Sequence, residues 1–466
     1  MAYEESGRAV VLGAGIGGLL AARVLSEHYG EVVVVDRDEL PDGPEHRRFV
    51  PQSHHAHGLL GSGRQVMVSL FPGLSAELDA AGAITSGSGD PAMGDRSIFL
   101  VRNGTTIRIP AWWTGGFCAS RVLIEHSIRE RVRAIPNVTL RDRTAAVGLL
   151  TSGTRRRVTG VRTEDGEVGA DLVVDASGRN SALPEWLERI GYRPPEESVV
   201  HSDVRYASLV TEPDPSFDPE WLIILGAQAT SGSSVGGVVL RIENGLLHMS
   251  FGTTGQGTPI PSDIGELRAF ADRMTAPVTA EALRHSTPLG PVRKYHVRRN
   301  VRRYYDRMSE MPAGLVALGD AASASNPIYG QGMSVAALSA SRLGRLLAEE
   351  GGARRPGFER RAARAIAATS VEAWRLALGE DLRYGCRTQG VRTPWTARFD
   401  AGYRNRLERA AALDPEVASA FNDVLNLHRP LSSLGSPRVV RRVLRPLRDR
   451  NPGPLSATIA AVLGAA

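Results

Sequence analysis

Hydrophobic and polar positions change their period several times along this chain, and each change predicts a switch of element. Ala9-Val10-Val11-Leu12 is a continuous apolar run that stops at a glycine, the pattern of a short buried strand. Apolar positions then recur at helical spacing from Leu19 to His28. Gly30 stops that helix, and Glu31-Val32-Val33-Val34-Val35 reads as a second strand. Helices are predicted from Arg64 to Leu70, ended by Phe71-Pro72-Gly73, and from Arg121 to about Ala134 behind Ser120. Runs 97–101 and 105–109 flank Asn103-Gly104, and runs 157–161 and 167–174 flank Asp165-Gly166, so two hairpins are predicted. Residues 198–252 are β throughout, with strands predicted at 204–210, 221–225, 235–242 and 246–251 as a separate sheet. Helices are expected at 264–274 and 279–284, and a buried strand at 315–318. A mostly helical tail rich in Ala and Arg follows Leu338.

Two stretches carry chemistry. Gly13-Ala14-Gly15-Ile16-Gly17-Gly18 joins the first strand to the first helix, and Asp36 ends the second strand. Gly13 suits a tight turn, Gly15 lets the backbone approach a pyrophosphate, and Gly18 permits close helix–strand packing. Asp36 can accept hydrogen bonds from an adenosine ribose. This context predicts a dinucleotide site and leaves NAD and FAD both open. The second stretch is Gly319-Asp320, followed by Asn326-Pro327-Ile328-Tyr329-Gly330-Gln331-Gly332-Met333. Ligands of open α/β sheets sit at such strand ends. Gly330 and Gly332 leave no side chain in the way, so amide N–H groups at the start of the next helix can face an anion. A flavin reduced by hydride is such an anion.

Composition narrows the classes. The chain has 466 residues, 42% hydrophobic and 23% charged, which reads as a soluble globular protein of two or three domains. No apolar run reaches the ~18 residues of a membrane helix, and the N-terminal apolar stretch lacks a signal-peptide pattern. Cys118 and Cys386 stand far apart with no CxxC, which excludes a dithiol flavoenzyme and points to a reducing, cytoplasmic compartment. Net charge is +6, and Lys294 is the sole lysine. Arginine clusters at 155–157, 298–303 and 439–450 lack interleaved aromatics, so they read as solvated faces and no nucleic-acid partner is expected. The loop 41–60 carries Arg47, Arg48, Gln52, His54, His55 and His57 without metal-ligand partners, so no metal is expected.

Three motifs stand in a fixed order: Gly13-x-Gly15-x-x-Gly18, then Asp175-x-Ser177-Gly178-Arg179, then Gly319-Asp320 leading to Pro327-x-x-Gly330-x-Gly332. That order resembles the single-component FAD-dependent monooxygenases with the p-hydroxybenzoate hydroxylase fold, over residues 9–345. Val50-Pro51-Gln52-Ser53-His54-His55-Ala56-His57 and the segment from Asn326 to Ser334 look most like bacterial epoxidases of polyether polyketide assembly, relatives of squalene epoxidase. The resemblance implies an α/β (α+β) fold. A Rossmann-type FAD-binding domain (1–85, 110–185, 286–345) is interleaved with an antiparallel-sheet substrate domain (86–109, 186–285), and a helical C-terminal region follows (346–466).

The same resemblance implies FAD as cofactor, NADPH or NADH as electron donor, and O2 with a small apolar polyene or polyketide as substrates of specialised (antibiotic) metabolism. Gly13, Gly15, Gly18 and Asp36 match the adenylate site, Arg121 matches the position at the FAD phosphate or ribityl chain, and Arg37 and Arg48 are further cofactor-binding candidates. Asp320 matches the residue at the ribityl hydroxyls, Pro327 the one beside the ring, and Gly330, Gln331, Gly332 and Met333 the donors at its N1–C2=O edge. Gln52, His55, His57 and Tyr329 are candidates for the flavin face, without an assigned catalytic role. One departure is Ser177-Gly178, where aromatic hydroxylases usually carry Asp-Gly. The implied reaction is epoxidation of an alkene by an electrophilic oxygen formed from O2 at flavin C4a. Alternatives are aromatic hydroxylation, alkene reduction of the geranylgeranyl reductase type, and a non-catalytic prenyl-binding escort. Halogenation is disfavoured, because flavin halogenases carry a lysine near the flavin and a Trp-x-Trp-x-Ile-Pro signature, which Ile109-Pro110-Ala111-Trp112-Trp113 does not reproduce.

Overall fold

The computed structural model describes residues 7–85, 97–102, 105–110, 115–153, 157–217, 221–230, 233–255, 259–274, 277–391 and 397–446. The Asn103-Gly104 turn and Trp112-Trp113 therefore lie outside the described residues. Five parallel strands form the first sheet, in the order Leu315–Ala317, Leu172–Asp175, Arg8–Leu12, Glu31–Val35, Val138–Arg141. Parallel strands covered on both faces need apolar side chains on both, which is why four of the five centre on Val, Leu and Ala runs, while Val138–Arg141 at the edge exposes Thr139 and Arg141. The helices Ile16–Leu25, Arg121–Arg133 and Gly332–Glu350 pack around this sheet in one core. Because the strands are parallel, their C-terminal ends share one edge. Gly13, Asp36, Ser177 and Gly319 all follow a strand at that edge, so four distant stretches of sequence meet there.

The second large sheet runs Ser286–Pro288, Val204–Pro213, Leu247–Gly255, Ser233–Arg241, Trp221–Thr230, Ser97–Arg102, Thr105–Pro110, with Arg293–Val297 also on Val204–Pro213. It differs from the sequence reading in two ways. One seam, Trp221–Thr230 against Ser97–Arg102, is parallel, so the sheet is mixed and not purely antiparallel. Ser286–Pro288 and Arg293–Val297, placed by sequence with the nucleotide-binding part, pair in this sheet instead. Short strands carry a weak periodic signal, and their pairing partner is set by distant chain.

Alternation sends the sheet's side chains to two faces. Phe99, Leu209, Ile224, Met249 and Phe251 pack against the helices Ile264–Asp272 and Pro277–Arg284. Ile98, Leu100, Ile107 and Ile109 on the other face pack against the C-terminal helices Ala397–Ala411, Pro415–Leu425 and Pro437–Val443. The same face receives the loop 50–60: the His55 ring bonds Ser208, the Ala56 N–H donates to Ser250, and His248 donates to the His54 carbonyl. This second face therefore looks toward the strand-end edge of the parallel sheet. No described helix is long and apolar enough to cross a membrane.

Candidate functional site

The Gly-rich turn is built as its spacing requires. Gly13 holds φ +95°, a conformation open to glycine, and its N–H donates to the Val35 carbonyl. A Cβ on Gly18 would lie 1.7 Å from the Gly13 carbonyl oxygen, so only glycine lets the helix start this close to the turn. Gly15 differs, because a Cβ there meets nothing nearer than the guanidinium nitrogens of Arg47 and Arg121, at 3.9 and 4.0 Å. The open side of Gly15 is thus lined by two cations.

Those cations belong to a buried network. Arg47 pairs with Asp36 at 3.2 Å and with Glu125 at 2.9 Å, and Arg121 pairs with Glu125 at 2.9 Å. Burial alone would raise the Glu125 carboxyl, but Arg121, Arg47 and Arg129 outweigh it and hold the group below its ordinary value. Asp36 accepts from the Ala14 N–H at 2.5 Å, so it also clamps the Gly-rich turn. Asp38 also acts on Arg47, so the carboxylates balance the arginines in number, yet it is the guanidinium groups of Arg47 and Arg121 that stand nearest Gly15, where a pyrophosphate would meet them. Arg37 and Arg48 lie elsewhere: both are exposed and stack on Phe49, at 4.3 and 5.3 Å from its ring centre. Arg47, absent from the sequence-based set, is the side chain that reaches in.

The motif Asp175-x-Ser177-Gly178-Arg179 is a local lock. Asp175 accepts from the Ser177 N–H and hydroxyl and from the Ser181 hydroxyl, while Arg179 donates to the carbonyls of Arg299 and Ser325. Arg179 thereby ties this turn to the segment that leads into Asn326.

Asp320 follows Gly319 at the strand end, and its carboxylate makes no hydrogen bond among the described residues. Burial raises its pKa against the pull of Arg179, Arg121 and Arg303. Downstream, Pro327–Tyr329 forms one 3-10 turn, Gly330 adopts φ +65°, and the helix Gly332–Glu350 begins with no side chain capping it. A Cβ on Gly332 would lie 3.9 Å from Asp320 Oδ1, so the open carboxylate and the uncapped helix start are neighbours. Gln331 Oε1 is buried without a partner. Unsatisfied buried polar groups are rare in folded chains, and several around one edge mark a ligand site.

This geometry agrees with comparison to known proteins. A family model described as FAD binding domain matches residues 7–357. The chain belongs to this FAD-binding family. It is 32% identical over 451 residues to Protein Rv3254 of Mycobacterium tuberculosis, covering 94% of this chain and 93% of that one. Among solved structures, the flavin-dependent brominase Bmp2 superposes with TM-score 0.64 at 15% identity, covering 90% of this chain and 93% of the other. The p-nitrophenol 4-monooxygenase PnpA of Pseudomonas putida gives TM-score 0.60 at 18% identity, over 90% and 98%. These likenesses establish the p-hydroxybenzoate hydroxylase fold for the flavoprotein.

FAD fits the residues described. The pyrophosphate matches the cationic hollow at Gly15, the ribityl hydroxyls match the unpartnered Asp320, and the flavin's N1–C2=O edge matches the uncapped amides after Gln331. The flavin-face candidates have unequal surroundings. His57 Nδ1 donates to the His55 carbonyl at 2.7 Å, which leaves Nε2 as an acceptor; burial and then the Arg121 charge push its pKa to about 3. His55 is sealed against Ser208, Tyr206 and Tyr295, and burial holds it near 3 as well. Gln52 sits within a short 3-10 turn, half-buried, at the outer end of the loop. Tyr329 points away from the helix start toward Asp381 on the helix Phe358–Arg383, with its hydroxyl 3.5 Å from the carboxylate. Asp381 carries no motif and no local signal, and only its contact with Asn326 and Tyr329 reveals it.

Proposed function

We propose that this flavoprotein is a monooxygenase that takes electrons from NADPH or NADH and inserts one atom of O2 into an alkene of an apolar substrate. The observation that supports this reading most is a half-buried apolar strip on the loop-facing side of the mixed sheet. Ala227, Gly236, Val238 and Gly252 share that face by register and are all only partly covered, next to Ile223 and Leu225, which lean on the core under the C-terminal helices. No charged side chain stands among them. The charge at the rim, Arg102, is engaged by Glu408 at 3.5 Å and Glu380 at 3.7 Å. Such a surface holds a hydrocarbon by burial and offers no counter-ion to a carboxylate or phenolate.

Bound FAD would supply the electrophilic oxygen, and the residues here hold and surround it. The helix Gly332–Glu350 directs its first amides toward developing negative charge, while Asp320 and Arg121 fix orientation. His55 and His57 stay neutral at pH 7, so neither repels an apolar substrate nor is set to ionise a phenol. Lys294 stands beside Ala207 in the register and bonds Ser262, on the face away from the loop 50–60. That position supports setting halogenation aside.

The test is turnover under heavy-isotope O2 with a panel of polyenes and phenols, read by product mass. An epoxide carrying label from O2 is expected. Label only in phenolic products favours aromatic hydroxylation, and an unlabelled saturated product favours an alkene reductase.

A further inference from the structure

We propose that Asp381, on the C-terminal helix beyond the FAD-binding match, is a positioning residue that sets the conformation of the flavin-edge loop through Asn326. The inference rests on reading Asn326–Met333 as the loop at the flavin's N1–C2=O edge. Asp381 Oδ1 accepts from Asn326 Nδ2 at 2.7 Å, and Oδ2 accepts from Asn300 Nδ2 at 3.0 Å. Asn326 is 1% exposed, and its Oδ1 accepts from the Ile328 N–H at 3.1 Å. An amide can present its oxygen to Ile328 only if its NH2 faces the other way, where Asp381 is its acceptor among the described residues. The carboxylate therefore selects the amide orientation that caps the 327–329 turn. That turn delivers Gly330 in its left-handed conformation and aims the first amides of the following helix.

The carboxylate has no ion-pair partner among the described residues. Around it stand Glu380 on its own helix, Tyr329 on the loop, Asn300 on a neighbouring strand and Cys386 just downstream. Nearby arginines 102, 383 and 404 are held by Glu380. Burial thus lifts Asp381 to about 7 despite the three donors it accepts from. Protonated, one of its oxygens becomes a donor, and the contact with Asn326 Nδ2 or Asn300 Nδ2 weakens. The loop is ordered when Asp381 is charged and loosened when it is neutral.

The experiment uses purified full-length FAD-bound protein and follows the flavin's visible spectrum and its rate of reduction by NADPH through neutrality. In wild type both change with an inflection near pH 7, with reduction slower on the acid side. In Asp381→Asn and in Asn326→Ala that inflection disappears while one FAD per chain is retained. The double variant behaves as either single one, because the two residues act as a unit. An inflection that persists in Asp381→Asn, or additive effects in the double variant, overturns the positioning role. Should Asp381→Asn fail to fold, Asn326→Ala alone decides: an unchanged inflection there also overturns it. Wild-type protein that binds no FAD instead removes the flavin reading itself.

Discussion

Acidification is expected to release the loop 50–60 from the mixed sheet, and the size of the effect follows from two buried histidines. His55 is 2% exposed and His248 3% exposed, and both lie at the seam where the loop meets the sheet. Burial lowers His55 to about 3 and His248 to about 4, with further lowering from neighbouring histidines. Both folded values lie below the ordinary histidine value of 6.5, so the unfolded chain takes up protons first. Stability is then complete above about pH 6.5 and declines as the pH falls toward the folded values. At pH 5 each histidine is ~1.5 units below its unfolded pKa, worth about 2 kcal/mol, and the pair about 4 kcal/mol. That is a large part of the roughly 5–15 kcal/mol that holds a domain folded. The assay is proton uptake on unfolding in urea at pH 5, compared between wild type and His248→Gln. Glutamine still donates to the His54 carbonyl and cannot charge, so the variant should take up about one proton fewer. Equal uptake by the two proteins would refute the reasoning.

The Gly-rich turn separates binding from folding. Gly15→Val should fold, since nothing lies within 3.9 Å of its Cβ, yet lose FAD because the side chain fills the pyrophosphate space; unchanged FAD affinity would refute the placement. Gly18→Ala should instead reduce soluble, folded protein in circular dichroism, because of the 1.7 Å overlap with Gly13. Asp320→Ala should weaken FAD by about 10- to 150-fold, matching about 1.5–3 kcal/mol for hydrogen bonds to a charged acceptor, measured by flavin titration. Arg47→Ala should cost about 3 kcal/mol in urea unfolding by leaving Glu125 and Asp36 short of a partner. Arg48→Ala, at an exposed position, should stay within about 0.5 kcal/mol.

Local chemistry made part of this protein legible from its sequence. The spacing of Gly13, Gly15 and Gly18 between an apolar run and a helical pattern specifies a turn whose sterics depend on near neighbours, and the structure builds that turn. The αL position at Gly330 and the helix start after Gln331 are local in the same way. Tertiary structure decided what depends on distant chain. Arg47 and Arg48 are adjacent and chemically identical, yet one is drawn in by Glu125 on the helix Arg121–Arg133 while the other stacks outside on Phe49. The strands Ser286–Pro288 and Arg293–Val297 are too short to announce their partner, and Val204–Pro213 supplies it. Asp381 is an ordinary helical aspartate until the fold carries Asn326, 55 residues away, to within 2.7 Å. A sequence pattern records the demands a segment makes on itself; which charges meet across the molecule is set by packing, where burial makes each such meeting energetically large.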